Sequence, residues 1–494
     1  MSSTNVSRRQ FLTIAMAAGG GALAAACVPA AAPMPGDEAA SEGAEAPAME
    51  ALELKLTTLG GVGWPEAMEI LAAEHEERTG NRVVLDLVNW PLLDTVLPAL
   101  AAGEPPDVYH DHSTKFFTMF SESTVLTLNP YVEAADWSPD DLSPMDMQAH
   151  TWVDGSIKGV PLWTDLSTGH FFAYREDYFD EAGIPRPSSH GGFDSYTHLW
   201  DVAQKLTQTD ASGNVTRWGW SSDIAYLGFR ILNLVLDLGG HWWDEGKQEF
   251  NLTSDEVIEA LDTYLIEPIR LGAAYDEDHA PEQSRNEQLP EGVAAMSSST
   301  FSIRTAEDSH PDVAEVMAHA EAPPINPDLP NEQRHYVGWG GFGGLIPAAI
   351  PSDRHQAAFE LAEAQLKSPA TTQAIHRHIG PPGASKEYVN DPFLEELSGE
   401  TRYTAATVDM YRWQMARPGA FFGWQWGELG MANWIGGPRC FGGILDVTAE
   451  AAQARCEQTG SVISMKITVE EIAEEWQEWA MHGYENFFLP FVES

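Results

Sequence analysis

Apolar and polar residues alternate where the globular part of the chain begins, and the pattern then changes to a helical period. Leu52, Leu54 and Leu56 alternate with polar residues, as in a half-buried strand. A glycine loop follows, Pro65 stands in the favoured first turn of a helix, and Gly80 follows the predicted helix end. The next segment, RVVLDLV, is a second strand. Strand, helix and strand at this spacing predict a βαβ unit and a parallel sheet.

The same alternation continues along the chain. The pattern predicts a helix through Leu100, a Gly-Pro break, and a short strand over Asp107–Tyr109. Ligands of parallel sheets bind at the carboxyl ends of the strands. We therefore expect functional residues near Gly60–Trp64 and His110–His112.

Longer amphipathic helices are predicted further on, with glycine-aromatic loops between them. Their sequences are FDSYTHLWDVAQKLTQ, SDEVIEALDTYLIEPIRL, SDRHQAAFELAEAQL and VEEIAEEWQEWA. Thr468 and Glu471 have capping-box spacing at the start of the last helix. No period of about 20–50 residues recurs, so the chain is not a solenoid. The predicted fold class is α/β.

Length and charge narrow the possible functions. A chain of 494 residues exceeds the size of a single hydrophobic core, which predicts at least two lobes. Its 27 Lys and Arg face 74 Asp and Glu, a net charge of −47 that excludes nucleic acid as a partner. The acid excess is typical of a strongly solvated surface. A cation-binding receptor is the alternative, but it needs carboxylates gathered in one cleft, which net charge does not show.

The first 27 residues contain no acid and have the layout of an export signal. Arg8 and Arg9 precede the run FLTIAMAAGGGALAAA, which is too short and too rich in glycine to span a membrane stably. The string SRRQFLT resembles a twin-arginine signal, with Thr13 where Lys is common. ALAAAC resembles a lipobox, although Leu23 stands four residues before Cys27 where three is commoner. The alternative is an ordinary cleavage site with Cys27 incidental.

Two further features concern the exported form. Residues 28–50 consist mainly of Ala, Pro, Gly, Ser and acid, and cannot bury enough surface to offset chain entropy. We therefore predict a flexible tether there. Cys440 and Cys456 enclose a short loop, and in an oxidising compartment they could form a disulfide. Two free buried thiols are the alternative, and intact mass with and without reductant distinguishes them.

Four segments, in order, resemble landmarks of the family 1 extracellular solute-binding proteins, which include maltose-binding protein and many sugar receptors of ABC importers. They are GEPPDVYHDH, VDGSIKGVPLWTDLSTGHFFAYREDYFDEAGIPRP, NEQLPEGVAAMSSSTF and VGWGGFGGLIPAAIPSDRHQAAFELAEAQLKSP. Arg175 stands where the family usually has Asn. The resemblance covers nearly the whole mature body.

The resemblance implies a type II-like periplasmic-binding-protein fold, with two hinge-linked α/β lobes closing on a ligand. By analogy, lobe one comprises residues 51–163 and 340–390, and lobe two comprises 164–339 and 391–494. It also implies a small-molecule solute, most simply a mono- or oligosaccharide, and the permease subunits of an ABC transporter as partners. We expect a monomer without a cofactor, exported and lipid-anchored, facing the periplasm or the extracellular space.

Several of the 17 tryptophans lie in glycine-rich loops, where core packing explains them less well. A sugar ring packs its C–H face on an aromatic plane, and its hydroxyls need polar partners. These residues are therefore candidate ligand contacts: Trp64, Trp163, Trp339, Trp424 and Trp426. The alternative is that the rings cover lobe surfaces or the hinge.

The resemblance adds further candidates. Asp165 follows Trp163 where the family crosses between lobes, and Asp111 and His112 follow the third strand. Phe301 matches an aromatic residue that often stacks on the solute in relatives. The resemblance also singles out Gly340, beside Trp339 at the return to lobe one, and Trp243, near the cleft in the family but as often structural.

Metal binding is the less favoured interpretation of the paired histidines. Strand alternation puts His110 and His112 on one face, but no second group of ligands accompanies them. His376 and His378 are predicted on a helix, where residues two apart point in different directions. We predict no metal site.

Two alternatives to a sugar receptor stay open. The first is a same-fold receptor for a polyamine, peptide or metal complex. The second is a secreted carbohydrate-active enzyme, which needs two carboxylates flanking the scissile bond. No local signature picks such a pair, and the chain lacks the G-x-S-x-G, P-loop and H-E-x-x-H motifs. We therefore expect binding by hinge closure without catalysis.

Overall fold

The computed structural model describes residues 51–89, 92–112, 124–152, 154–164, 166, 170–221, 227–244, 246–276, 279, 281–337, 341–417, 419–420 and 468–485. Within these ranges the chain alternates between strands and helices. The strands are β1 Glu53–Leu59, β2 Arg82–Val88, β3 Val108–His112, β4 Val160–Pro161, β5 Phe171–Arg175, β6 Gln208–Thr209, β7 Val215–Ser221, β8 Trp243–Asp244, β9 Glu249–Phe250, β10 Ala294–Ser297, β11 Met317–Glu321, β12 Tyr336–Val337, β13 Phe342–Leu345 and β14 Gly419–Ala420.

The helices include all four amphipathic segments predicted from the sequence. They are α1 Trp64–Thr79, α2 Leu93–Ala102, α3 Asn129–Ala134, α4 Pro144–Ala149, α5 Glu176–Ala182, α6 Tyr196–Leu206, α7 Leu227–Asp237, α8 Asp255–Leu261, α9 Glu267–Arg270, α10 Phe301–Ser309, α11 Pro311–Ala314, α12 His355–Ala362, α13 Ala364–Lys367, α14 Pro369–His378, α15 Phe393–Leu397, α16 Arg402–Met415 and α17 Val469–Gly483. A π-helical turn over Asp262–Ile266 joins α8 to α9.

The first sheet has the strand order β2-β1-β3-β13-β4. β1 pairs in parallel with β2 over seven residues and with β3, which confirms the predicted βαβ unit. β13 runs antiparallel to β3 on one side and to β4 on the other. The carboxyl ends of β1, β3 and β4 and the amino end of β13 therefore lie at one edge of this sheet.

The second sheet has the order β11-β5-β10-β7-β6. β10 is parallel to β7, whereas β5 is antiparallel to both β10 and β11. The end of β10, the end of β11 and the start of β5 therefore share an edge. This sheet uses residues 171–321 alone, whereas the first uses residues 53–161 and 342–345.

Two apolar cores accompany the two sheets, and they are not independent. One packs α1 against β1 and β3 through residues such as Met68, Leu71 and Leu56. The larger one contains residues of both sheets, including Tyr109 from the first and Trp220 from the second. The two halves of the chain are therefore in contact in this structure.

Among the elements that the structure describes, the chain passes between the halves at three places. Crossing one is residues 162–170, between β4 and β5. Crossing two is residues 338–341, between β12 and β13. Crossing three is residues 379–401, between α14, which packs on α1, and α16, which packs on α10 and β11.

The last described helix, α17, packs on the second half of the chain. Its capping box is as predicted, because Glu471 N–H donates to Thr468 Oγ1 (3.2 Å) and Thr468 N–H donates to Glu471 Oε2 (2.8 Å). Further along, the Gln477 amide oxygen accepts the Leu252 N–H (2.8 Å), next to strand β9.

Candidate functional site

Three aromatic rings meet at the carboxyl edge of the first sheet. Trp64 begins α1 directly after β1, Trp163 follows β4, and Phe342 begins β13. The ring centroids of Trp64 and Trp163 are 5.1 Å apart, and both rings lie about 5 Å from Phe342 (5.2 and 5.0 Å). We call these three residues the aromatic cluster.

The aromatic cluster is packed rather than open. Trp64 and Trp163 are only 6% and 2% exposed, and both belong to the core of the first half. The structure therefore brings these two predicted tryptophans together at the expected edge, but it buries both rings, which meet each other and Phe342 in tilted or edge-on contacts. Their glycine-rich sequence context did not reveal these neighbours.

Two glycines adjacent in sequence to the aromatic cluster allow other parts of the chain to approach closely. Gly63 precedes Trp64 with φ 78°, and a Cβ there would lie 1.8 Å from the His378 carbonyl oxygen. Gly341 precedes Phe342 with φ 58°, and a Cβ there would lie 2.8 Å from the Trp163 carbonyl oxygen. Both positions require glycine for its conformation and for its size.

The end of β3 also lies at this edge, and its polar residues are buried. His110 Nδ1 is 3.2 Å from Thr58 Oγ1, and burial lowers the pKa of His110 to about 3, so this imidazole is neutral. The predicted Asp111 is 1% exposed and pairs in register with Gly343 of β13. His112 ends the strand opposite Phe342, and its side chain lies outside the described part.

An exposed aromatic residue lies at the corresponding edge of the second sheet. Phe301 starts α10 just after β10 and is 39% exposed, unusually open for a large apolar side chain in the described part of the chain. Its ring meets that of Tyr403 edge-on at 5.7 Å. The Tyr403 hydroxyl donates to the Ile379 carbonyl in crossing three (3.4 Å), so Phe301 lies beside the junction of the two halves.

A buried arginine hydrogen-bonds to the turn that precedes Phe301. Arg230 on α7 donates to the Ser298 carbonyl oxygen (3.0 Å) and to the Tyr264 hydroxyl (3.1 Å). Both of these bonds are buried and involve a charged donor, which makes them stronger than ordinary hydrogen bonds. Arg230 therefore anchors the turn from β10 into α10, directly before Phe301.

Sequence reasoning missed Tyr403 and Arg230. Tyr403 lies 102 positions beyond Phe301 in the sequence, and Arg230 lies 68 positions before Ser298. A capping box at Thr401 marks the start of α16. No local pattern indicates that this helix packs on α10.

A buried ionic network lies at the same edge of the second sheet. Arg334 donates to Glu321 Oε1 (2.6 Å) and to His170 Nδ1 (2.9 Å), and its Nε lies 3.6 Å from Asp237 Oδ2. His170 Nε2 donates to the His335 carbonyl oxygen. Burial, reinforced by the Arg334 charge, lowers the pKa of His170 to about 3, so the ring is neutral and accepts from Arg334. The network anchors the segment that enters crossing two.

Trp243 makes packing contacts in the structure. Its ring lies between Phe250 (4.9 Å) and Tyr484 (4.8 Å), both edge-on. These neighbours belong to β9 and to the chain directly after α17. The contacts fit the structural alternative considered from the sequence.

The other predicted residues lie outside the described part of the chain. They are Asp165, Trp339, Gly340, Trp424 and Trp426 among the ligand contacts, and Cys27, Cys440 and Cys456 among the cysteines.

The described ranges also bear on metal binding and on membrane insertion. No group of three or more His, Cys, Asp or Glu residues in them is arranged to hold a metal ion. His376 is buried against Tyr388, with Nδ1 3.1 Å from the Tyr388 hydroxyl oxygen. No described helix combines the length and the apolar character needed to traverse a bilayer.

Two α/β halves, joined by the crossings described above, bring strand ends together at their junction and define a two-lobed binding-protein fold. The model of the bacterial extracellular solute-binding protein family matches residues 71–399, more than half of the chain. The chain belongs to this family, a family of binding proteins. This confirms the predicted resemblance and function class. The comparison with curated proteins found no relative that matches.

Solved structures agree on the fold. The ABC substrate-binding protein Lmo0181 from Listeria monocytogenes, in complex with cycloalternan, is similar with a TM-score of 0.64 and 16% identity, covering 87% of this chain and 98% of that one. UgpB from Mycobacterium tuberculosis, in complex with glycerophosphocholine, has a TM-score of 0.65 and 15% identity, covering 88% and 98%. Maltose-bound MalE3 of T. maritima has a TM-score of 0.61 and 15% identity, and the match covers 87% of this chain and 100% of that one. The two-lobed fold predicted from the sequence is confirmed.

Proposed function

We propose that this protein is the substrate-binding component of an ABC importer for a carbohydrate, and that it binds by hinge closure without catalysing a reaction. Exposed Phe301, beside the junction of the two halves, carries this proposal. An aromatic ring in such a place provides the flat apolar surface on which a sugar ring packs. Structural neighbours whose complexes contain cycloalternan, maltose or ribitol support a sugar as the solute.

The two strand edges have different roles in this proposal. The packed aromatic cluster supports the wall of lobe one, together with Asp111 and the predicted His112 and Asp165. Phe301 covers the solute from lobe two. The lobes are those expected from the resemblance, 51–163 with 340–390 and 164–339 with 391–494. Closure would then be the movement of one lobe over a solute held by the other.

Export and anchoring complete the proposal. The family is extracellular, which fits the predicted signal over residues 1–27, the lipid on Cys27 and the tether over 28–50. The partners would be the permease subunits and, through the lipid alone, the membrane. Loss of membrane attachment in Cys27→Ser tests the anchor, and full retention of attachment would refute it.

Phe301→Ala tests the sugar site. The solute is first identified by a thermal-shift screen, because a ligand that binds only the folded state raises the melting temperature. The compounds screened are maltose, maltotriose, ribitol, glycerophosphocholine, spermidine and peptides. Losing a stacking face should weaken sugar binding by about tenfold or more, roughly 1.4 kcal/mol. Isothermal titration calorimetry measures the change.

Leu52→Ala is the control, because Leu52 is also partly exposed but directly precedes β1, at the amino edge of the first sheet, opposite the aromatic cluster. It should bind sugar as the wild type does. Equal affinity of Phe301→Ala and wild type would remove Phe301 from the site. A thermal shift with glycerophosphocholine or spermidine alone would replace the sugar by another solute class.

A further inference from the structure

Thr164 ties crossing one to its surroundings through two hydrogen bonds. Its backbone N–H donates to the Pro382 carbonyl oxygen in crossing three (2.9 Å). Its hydroxyl donates to Oδ2 of Asp146 on α4. Thr164 thus joins two of the three crossings, and it follows directly on Trp163 of the aromatic cluster.

Asp146 is buried at the point where the halves meet. It is 1% exposed, and its neighbour Met145 belongs to an apolar cluster with Phe171 and Tyr403 of the second half. The start of α4 is itself joined to crossing three, because Ser143 N–H donates to the Ala384 carbonyl oxygen (2.9 Å). The α4 segment therefore lies between crossing three and the second half of the chain.

The Asp146 carboxylate also faces the approach to crossing two. Tyr336 of β12 and Tyr411 of α16 have raised pKa values, first because both are buried and then because of the negative charge of Asp146. One buried carboxylate thus accepts a hydrogen bond from crossing one, and its charge acts on the strand before crossing two and on the helix after crossing three.

We propose that Asp146 is a positioning residue for lobe closure, which holds Thr164 and thereby fixes the hinge and the orientation of Trp163. A hinge turns through a few residues whose backbone dihedrals change. A buried hydrogen bond to a charged acceptor within the hinge restricts which dihedrals are reached. This inference rests on the proposed function for its effect on the solute, but its effect on the hinge is independent of it.

The test uses three substitutions in the Asp146–Thr164 pair and one control substitution elsewhere. Thr164→Val removes the hydroxyl donor at nearly constant shape, Thr164→Ser keeps the donor, and Asp146→Asn keeps an acceptor but removes the charge. Thr407→Val is the matched control, because Thr407 is also fully buried and donates only to the Thr404 carbonyl oxygen within α16 (3.0 Å).

The first readout is hydrogen exchange of the ligand-free protein. In Thr164→Val we expect peptides covering 162–166 and 379–386 to exchange at least about tenfold faster than in the wild type, since one buried bond to a charged group is lost. Strands β1 and β10 should keep their rates. Thr164→Ser should restore protection, Asp146→Asn should be intermediate, and Thr407→Val should leave both peptides unchanged.

The second readout is affinity for maltotriose by calorimetry, with melting temperature measured in parallel. Thr164→Val should bind about tenfold more weakly although its melting temperature falls no further than that of Thr407→Val. Unchanged exchange at the crossings, or affinity equal to the wild type, would overturn the inference. A wild type that binds no sugar would count against the proposed function, and the exchange rates would still decide the role of Asp146.

Discussion

Two histidines and two carboxylates meet where β11 packs against α16. His190 Nε2 is 3.0 Å from Asp409 Oδ1, and its Nδ1 is 3.2 Å from Glu321 Oε2. His319 Nε2 is 2.8 Å from Asp409 Oδ2. Partial burial alone would lower the pKa of His190, but the hydrogen bonds and charges of Asp409 and Glu321 outweigh it and raise that pKa. Burial alone would raise the pKa of Asp409, but the hydrogen bonds and charges of His319 and His190 outweigh it and lower that pKa.

His190→Gln should therefore destabilise the protein in a pH-dependent way. A raised histidine pKa contributes stability that is fully present below the unfolded value of about 6.5 and is lost as pH rises through the folded value. The difference in melting temperature between wild type and variant should be constant between about pH 5.5 and 6.5 and should shrink above that range. Calorimetric scans from about pH 5.5 to 9 measure it. A difference that grows with pH would contradict this assignment.

Which side chains meet was the least predictable aspect of the site. The aromatic cluster joins residues 64, 163 and 342, and the ionic network joins residues 170, 237, 321 and 334. The sequence marks Trp64 and Trp163 as aromatic residues in glycine loops, but a ring's exposure depends on neighbours from distant segments. Phe301 was identified through the resemblance to relatives, and its exposure fits a contact role.

At the scale of elements, the two ends of α1 offer an internal comparison. Gly63 before the helix and Gly80 after it have nearly the same φ, 78° and 77°. A Cβ at Gly80 meets nothing within 4 Å, whereas a Cβ at Gly63 meets the His378 carbonyl oxygen at 1.8 Å. Both positions thus have a left-handed backbone conformation, but only Gly80 has room for a Cβ atom.

Gly63→Ala should consequently cost more stability than Gly80→Ala. Both changes carry the penalty of a left-handed alanine, about 1–2 kcal/mol. Only Gly63→Ala also forces α1 away from the end of α14, which adds roughly 1–3 kcal/mol. Urea unfolding of the two variants measures the difference. Equal midpoints would show that the helix end moves aside freely.

The regular elements were the most predictable part of the fold. The βαβ unit from β1 to β2 has clear period-two and helical patterns, and its pairing is parallel as expected. Strand β3 was predicted to end at Tyr109 but continues to His112, because β13 pairs with it along residues 109–112. The strand β4 has only two residues, too few for a period to show. Its place in the sheet depends on tertiary pairing.

At the scale of the whole molecule, several histidines are buried in neutral form. Burial lowers the pKa of His110 and His376 to about 3, and burial with the Arg334 charge does the same for His170. Below about pH 6.5 the unfolded chain binds protons that these folded imidazoles do not. Each therefore removes up to about 1.4 kcal/mol of stability per pH unit on acidification.

His376→Asn isolates this effect from the overall change in surface charge. Asn can still hydrogen-bond to the Tyr388 hydroxyl, which His376 Nδ1 contacts at 3.1 Å. The variant should be less stable than the wild type at neutral pH. This deficit in the free energy of unfolding should narrow as pH falls from about 6.5 to 5, because only the wild type loses stability through His376. Urea unfolding at each pH provides the free energies. A deficit that is the same at every pH would mean that the His376 pKa is equal in the folded and unfolded states.

The position of β13 has a consequence for synthesis. This strand is inserted between β3 and β4, although about 180 residues and the entire second sheet separate it from β4 in the chain. The first sheet is therefore completed only after the strands of the second sheet have been synthesised, since β13 leaves the ribosome long after β3 and β4. Closing so long a loop is slow. Until then, β3 and β4 present open edges to which other strands can bind.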